Sequence, residues 1–253
     1  MTLTDLDRWL RELLRFDLTD KVDASQNGLQ VARRKADVQR VAVAVDASLE
    51  AIKRAAQWSA DVLFVHHGIL WDKPARLVGA LYGRVHALVD ADIALFGAHL
   101  PLDMHPDVGN NIAIARLLGI ADIEPFGEYR GVKLGYKGVL PEAMSIEEVA
   151  RKLTGRDATQ SRIFPFGPRG IRSVGIVSGG APYEARQAIA EGLDLYVTGE
   201  PAHGIYHDCL EGGLNLICAG HYFTETFGVR LVAEKLSREH GIQTEFLDVP
   251  TGL

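Results

Sequence analysis

The sequence predicts an α/β protein made of two related α/β units with largely parallel sheets. Three observations lead there. Short, wholly apolar runs of strand length alternate with amphipathic, helix-length segments. Most successive strands are separated by a helix, the connection that parallel pairing requires. The order of elements also recurs in the second half of the 253 residues.

The first helix is expected to start at Thr4, with Asp7 three residues on as its capping-box partner. Leu6, Trp9, Leu10 and Leu13 then share one face. Asn27-Gly28 reads as a turn before the short stretch Leu29-Gln30-Val31. Val41 to Val45 is a buried-strand pattern ending at Asp46, and a helix follows from Ser48 to about Trp58. Two more buried strands, Val62 to Val65 and Ile93 to Phe96, precede a helix from Asn111 to Leu118 that Gly119 terminates.

In the second half, Ser145 and Glu148 form a capping box for a helix carrying Ile146, Val149 and Leu153. Strands are expected at Ser161 to Phe164 and Val174 to Val177, then a helix from Pro182 closed by Gly192. The strands Leu193 to Val197 and Leu214 to Cys218 lead into a last helix with Val229, Val232 and Leu236 on one face. Each half reads helix, strand, strand, helix, strand, strand, helix. Duplication would explain this, although any α/β chain alternates in such a way. With the boundary placed between Ile123 and Arg130, the units are residues 1–125 and 126–253, the final segment being free to pack back on the first.

Composition is that of an ordinary globular protein, 47% hydrophobic and 24% charged, and the formal net charge of −6 argues against a nucleic-acid partner. No apolar run approaches the roughly 20 residues of a membrane span. Met1-Thr2-Leu3-Thr4-Asp5 lacks the basic start of a secretory signal. Cys209 and Cys218 alone make no disulfide framework and no Cys-x-x-Cys. A reduced, cytoplasmic chain is the expectation.

Ligands of parallel α/β sheets bind beyond the carboxyl ends of the strands, and there the metal-ligand side chains gather. Val62 to Val65 runs into His66-His67-Gly68, and Ile93 to Phe96 into Gly97-Ala98-His99-Leu100-Pro101-Leu102-Asp103. Tyr196-Val197 leads to Thr198-Gly199-Glu200, with His203 shortly after; Leu216 to Cys218 leads to Ala219-Gly220-His221, with Glu225 four residues on. An isolated His-His pair is more often a buried structural pair, so the weight rests on recurrence at four strand ends. Imidazole with carboxylate suits zinc, manganese, iron, nickel or cobalt and selects none of them. His221 and Glu225 share a face if the last helix has begun there. A carboxylate can bridge two ions about 3.5–4 Å apart, as in two-metal hydrolytic sites. His99 is placed for proton transfer or for support of a ligand.

His86, His105, His207 and His240 read as surface or structural residues, and Asp46 as a turn or cap partner. Ser178-Gly179-Gly180, between a strand and a helix, is either a phosphate cradle or a tight turn. Walker, Gly-x-Ser-x-Gly and His-Glu-x-x-His patterns are missing.

Asn27-Gly28-Leu29-Gln30-Val31, His66-His67-Gly68, His99-Leu100-Pro101-Leu102-Asp103 with Gly109-Asn110-Asn111, Thr198-Gly199-Glu200, and Ala219-Gly220-His221 with Glu225 together form one ordered pattern. The chain resembles the NIF-three-like proteins, also called GTP-cyclohydrolase-type-2-like or dinuclear-metal-centre proteins, in their short bacterial YbgI form. The resemblance spans nearly the whole chain. It implies a toroidal homohexamer with two divalent metal ions per subunit, held in the cleft between the two units by His66, His67, Asp103, His221 and Glu225. Glu225 would bridge, and His99 would line the pocket. Gln26-Asn27 stands where many members carry acidic or aromatic residues. The leading expectation is a metal-dependent hydrolase of a small nucleotide-like or phosphorylated substrate, with His99 as its catalytic proton carrier. The alternatives are a non-catalytic metal-binding scaffold or metal-insertion partner, and a nucleotide-binding regulator using the Ser178 turn.

Overall fold

A computed structural model describes residues 1–155 and 161–253. The chain divides into two compact units, Met1–Leu102 with Gly228–Val249, and Asp103–Phe227 with Pro250–Leu253. The division thus falls at Leu102/Asp103, upstream of the expected 125/126. The helix Asn110–Leu118 explains the difference, because its Ile112, Ile114 and Leu118 enter the core formed with Ile146, Val149 and Leu153. Periodicity shows that a helix buries a face, but not which sheet receives it.

In the first unit five strands are ordered β1 (Gly28–Val31), β4 (Ala94–Gly97), β3 (Val62–His67), β2 (Arg40–Asp46) and β11 (Gln243–Phe246). All pairs are parallel except the edge pair β1–β4. Side chains alternate across a strand, and here both sets are apolar because both faces are covered. Val41, Val43, Val62 and Phe64 face Leu6 and Leu10 of α1 (Leu3–Leu14) and Val232 and Leu236 of α10 (Thr226–His240). Ala42, Ala44, Leu63 and Val65 pack with Ala51, Ile52 and Ala55 of α2 (Leu49–Gln57) and Leu88 of α3 (Gly79–Asp90).

Helix α1 starts earlier than Thr4: Thr2 is the N-cap and Asp5 completes the capping box. Thr-x-x-Asp occurs at both positions. The Leu3 N–H bond to Ala36 O and the bridge between Thr2 and Asp37 hold the earlier one.

The second unit carries six strands ordered β5 (Ala121–Tyr129), β6 (Val132–Met144), β8 (Ile171–Ile176), β9 (Leu195–Thr198), β10 (Asn215–Cys218) and β7 (Arg162–Phe164). The parallel strands β8, β9 and β10 form its centre, flanked by antiparallel neighbours on both sides. One face packs on α5 (Asn110–Leu118) and α6 (Ile146–Thr154), the latter started by the expected Ser145–Glu148 capping box. On the buried Tyr196 the hydroxyl donates to Ala181 O at 2.6 Å.

Long β5–β6 is a hairpin that the pattern of the sequence did not announce. Its two-residue loop, Arg130-Gly131, has φ of 50° and 86°. Positive φ at both positions is the type I′ geometry normally signalled by Asn-Gly or Asp-Gly. Arginine in the first position hides the signal. After β10, a single helical turn α9 (His221–Thr224) ends at Glu225, whose φ of −108° separates it from α10.

Candidate metal centre

Strand β3 extends through both histidines, and Asp46 is the register partner of His67 in the neighbouring parallel strand β2. Paired positions project to the same face, so His67 Nδ1 lies 2.9 Å from Asp46 Oδ1. The fully buried His66 turns the other way and donates from Nδ1 to Ala98 O at 2.9 Å. His99, just beyond β4, places Nδ1 2.8 Å from Asp23 Oδ1. Ligand atoms of His66, His67 and His99 all lie within 4.8 Å of one another.

Asp23 is the residue that sequence reasoning missed. Its side chain has no exposed surface. Besides the His99 bond, it accepts from Ser25 N, Leu100 N and Asn27 Nδ2, while Asn27 Oδ1 accepts from His99 N. Burial alone would raise the Asp23 pKa, but the bond and charge of His99, with the Asn27 and Ser25 donors, hold it below the usual value. Gln30 clamps the loop after the histidine pair, its Oε1 accepting from Ile69 N at 2.7 Å and Leu70 N at 3.2 Å. Gly68 is required beneath it, since a Cβ there would fall 2.4 Å from Gln30 Oε1. Gln26 donates to Trp71 O, and the Trp71 indole stands edge-on to His99 with centroids 5.2 Å apart.

In the second unit the ligand-type residues sit after β9 and β10. His221 lies between two carboxylates, with Nδ1 2.6 Å from Glu200 Oε1 and Nε2 3.1 Å from Glu225 Oε1. Burial alone would lower the His221 pKa, yet the bonds and charges of Glu225 and Glu200 outweigh it and raise it to about 9. Asp103, in the short helix α4 (Leu100–Met104), accepts at Oδ1 from Asn110 Nδ2 at 2.9 Å and Ser178 Oγ at 3.0 Å. Carboxylate oxygens of the buried Asp103 and Glu225 approach within 4.8 Å. Glu225 therefore stands within ligand distance of both His221 and Asp103.

Room for this arrangement comes from Gly179, with φ +65°, where a Cβ would lie 2.1 Å from Glu225 Oε1 and 3.2 Å from His221 Nε2. The Ser178 turn is a tight turn and not a phosphate cradle. Its Ser178 N–H is bonded to Asn111 Oδ1 and its Gly179 N–H to Thr224 Oγ1.

One further expectation changes. Asp46 orients His67 instead of capping a turn. His203 is exposed in a 3-10 turn (His203–Ile205) and gains no role. His105 is structural as expected, its Nδ1 accepting from Asp107 N and Val108 N. Burial pushes the Cys209 thiol up to about 11 and Cys218 to about 12, far from a nucleophile's range.

The donor set fits a divalent metal. His66, His67 and His99 are each tied at Nδ1 to an oxygen, which leaves the coordinating lone pair on Nε2. His221, tied at Nδ1 to Glu200, carries on Nε2 a proton donated to Glu225 that a bound ion would displace. The missing Cβ of Gly179 keeps clear the space that an ion at Glu225 and His221 would need.

Fold and site together define an α/β protein whose strand-end imidazoles and carboxylates could bind metal ions. The chain matches the model of the family Duf34/NIF3 (NGG1p interacting factor 3) over residues 1–251 and belongs to that family. A Deinococcus radiodurans protein named GTP cyclohydrolase 1 type 2 homolog is 43% identical over 252 residues, covering 98% of this chain and 94% of its own. An Archaeoglobus fulgidus protein of the same name is 40% identical over 253 residues, all of both chains. Among solved structures, protein ybgI aligns with a TM-score of 0.92 at 32% identity over 100% of both chains. TTHA1606 from Thermus thermophilus aligns at 0.89 and 38%, also over 100% of both. No helix among the described residues is long and apolar enough to cross a membrane.

Proposed function

We propose that this chain is a dinuclear-metal-dependent hydrolase of a small nucleotide-like or phosphorylated substrate, of the GTP cyclohydrolase type 2-like kind. The observation that supports it most is the common tethering of four imidazoles through Nδ1, the arrangement that presets histidine for metal. His66, His67, Asp103, His221 and Glu225 would hold the pair of ions, with Glu225 shared. Zinc, iron, manganese, nickel and cobalt all suit these donors. Such ions supply Lewis-acid activation of water and of a substrate oxygen.

His99 takes a proton at Nε2 and returns it, while buried Asp23 fixes its tautomer and orientation. Asp46 and Glu200 do the same orienting work for His67 and His221. Assembly as a toroidal homohexamer in the cytoplasm belongs to the same proposal, with a solution mass about six times 27.6 kDa.

Metal content per chain, measured by elemental mass spectrometry, and turnover of a nucleotide and phosphoester panel by the metal-loaded protein test this reading. Activity equal to wild type in His67→Ala overturns it.

The grouping of His99 with His66 and His67 favours a second reading, a non-catalytic metal scaffold or metal-insertion partner. A third imidazole spent on an ion leaves no proton carrier. His99→Ala separates the two: turnover lost with metal retained supports the hydrolase, whereas metal lost supports the scaffold.

A further inference from the structure

In the loop after the histidine pair, Ile69 and Leu70 pack into the core with Leu63, Val65 and Leu95, whereas Trp71 is not part of that core. Its side chain stays partly exposed, and residues 72–80 beyond it are exposed throughout. The indole stands instead beside the imidazoles, its centroid 5.2 Å from that of His99 and 6.4 Å from that of His67. An aromatic ring left part-wetted gives up burial that a core position would reward.

The backbone beneath the indole is firmly held. Trp71 forms an antiparallel bridge with Ser25, and its carbonyl accepts from Gln26 Nε2 at 2.9 Å. One residue earlier, Leu70 O accepts from Gln26 N at 3.1 Å and from Gln30 Nε2 at 3.3 Å. A ring fixed before a ligand arrives loses little conformational entropy on binding.

The polar side chains nearby are engaged within the chain. Gln26 and Gln30 hold the loop, Asn27 bonds to Asp23 and to His99 N, and Asp23 holds the His99 ring. What Trp71 offers a ligand is therefore the face of its ring. Ions held at His66 and His67 would repel an ammonium group, the cation that indole faces otherwise attract. A saccharide is oriented through its hydroxyls, and the amides suited to bond them are already engaged. A flat heteroaromatic ring needs only the π surface, which every nucleobase has.

We infer that Trp71 is the specificity-determining residue of this site: it stacks the heteroaromatic ring of a nucleotide beside His67 and His99, without reading which base the ring belongs to. This deepens the proposed function and rests on its reading of the substrate as nucleotide-like.

Equilibrium dialysis of the purified, metal-loaded full chain against guanosine monophosphate, adenosine monophosphate and ribose 5-phosphate tests it, with binding and not turnover as the readout. Wild type is expected to bind both nucleotides about tenfold tighter than ribose 5-phosphate, the scale of one stacked base, and to differ less than about tenfold between them. Trp71→Ala loses that advantage while its metal content and its affinity for ribose 5-phosphate stay unchanged. Trp71→Phe, which keeps a ring, retains most of it. Trp9→Phe and Trp58→Phe together leave Trp71 as the sole tryptophan of the chain, and either nucleotide then quenches its emission.

Undiminished nucleotide preference in Trp71→Ala overturns the inference, as does a wild type that binds neither nucleotide or binds ribose 5-phosphate equally well. A larger preference between the two bases also overturns it, because the ring's edge is then being read. The two readings fail separately. A chain that hydrolyses nothing yet keeps the ring preference overturns the hydrolase alone, and one that hydrolyses without that preference overturns the role of Trp71 alone.

Discussion

Asp46 and His67 occupy paired positions of two parallel strands, and their side chains meet at 2.9 Å between Oδ1 and Nδ1. The carboxylate fixes which ring nitrogen keeps the lone pair and holds the ring at one angle. Asp46→Ala leaves the strand intact, because the side chain is 36% exposed. Metal affinity is expected to fall about 10–100-fold. A competition titration against a chromogenic chelator measures it, with thermal unfolding of the metal-free protein nearly unchanged.

Gly179→Ala tests the space beside Glu225. A non-glycine residue at φ +65° costs roughly 1–2 kcal/mol from the backbone alone. The added methyl also lands on Glu225 Oε1. The variant is expected to lose both stability and bound metal. Gly192→Ala is the control: its φ is +68° with nothing within 4 Å, so it bears the strain and keeps the metal.

Gln30 and Gly68 act as one device. Gln30→Ala removes two bonds to Ile69 N and Leu70 N, a loss of roughly 1–3 kcal/mol. Gly68→Ala drives the same amide out of place. The double variant is therefore expected to fall short of the summed losses by roughly 0.5–3 kcal/mol, measured by urea unfolding.

Thiol chemistry reports on the second unit's core. With Cys209 at about 11 and Cys218 at about 12, neither forms thiolate at pH 8 in the folded chain. Folded protein is expected to leave a disulfide reagent unconsumed, and two thiols per chain react in denaturant. Rapid reaction of the native chain would show that this core opens.

Much of the fold was legible along the chain. Alternation in β2 and β3 is apolar on both sides, the pattern of strands covered on both faces, and Ser145 with Glu148 marks a helix start through local bonds alone. The β5–β6 hairpin was not legible, because its positive φ values fall on Arg130-Gly131. The return of the last segment to the first unit was anticipated, but not the strand it would pair with. Strand β11 pairs with β2 across 203 residues, from Gln243 to Arg40, through backbone groups that every residue carries. Among site residues, Asp23 gave no signal: it lies 76 residues from His99 in a stretch without periodicity.

By itself the sequence determined the chemical inventory: imidazoles and carboxylates where strands run out, capped helices, and family membership through ordered short motifs. Such features depend on neighbours within a few positions, so covalent order is enough to specify them. Only the tertiary structure decided which oxygen holds each histidine, with Asp23, Asp46 and Glu200 arriving from 76, 21 and 21 residues away. It also decided that Gly179 must lack a side chain. Those outcomes are set by packing distances between separate strands, and a hydrogen bond's narrow range makes them invisible until the sheets are assembled.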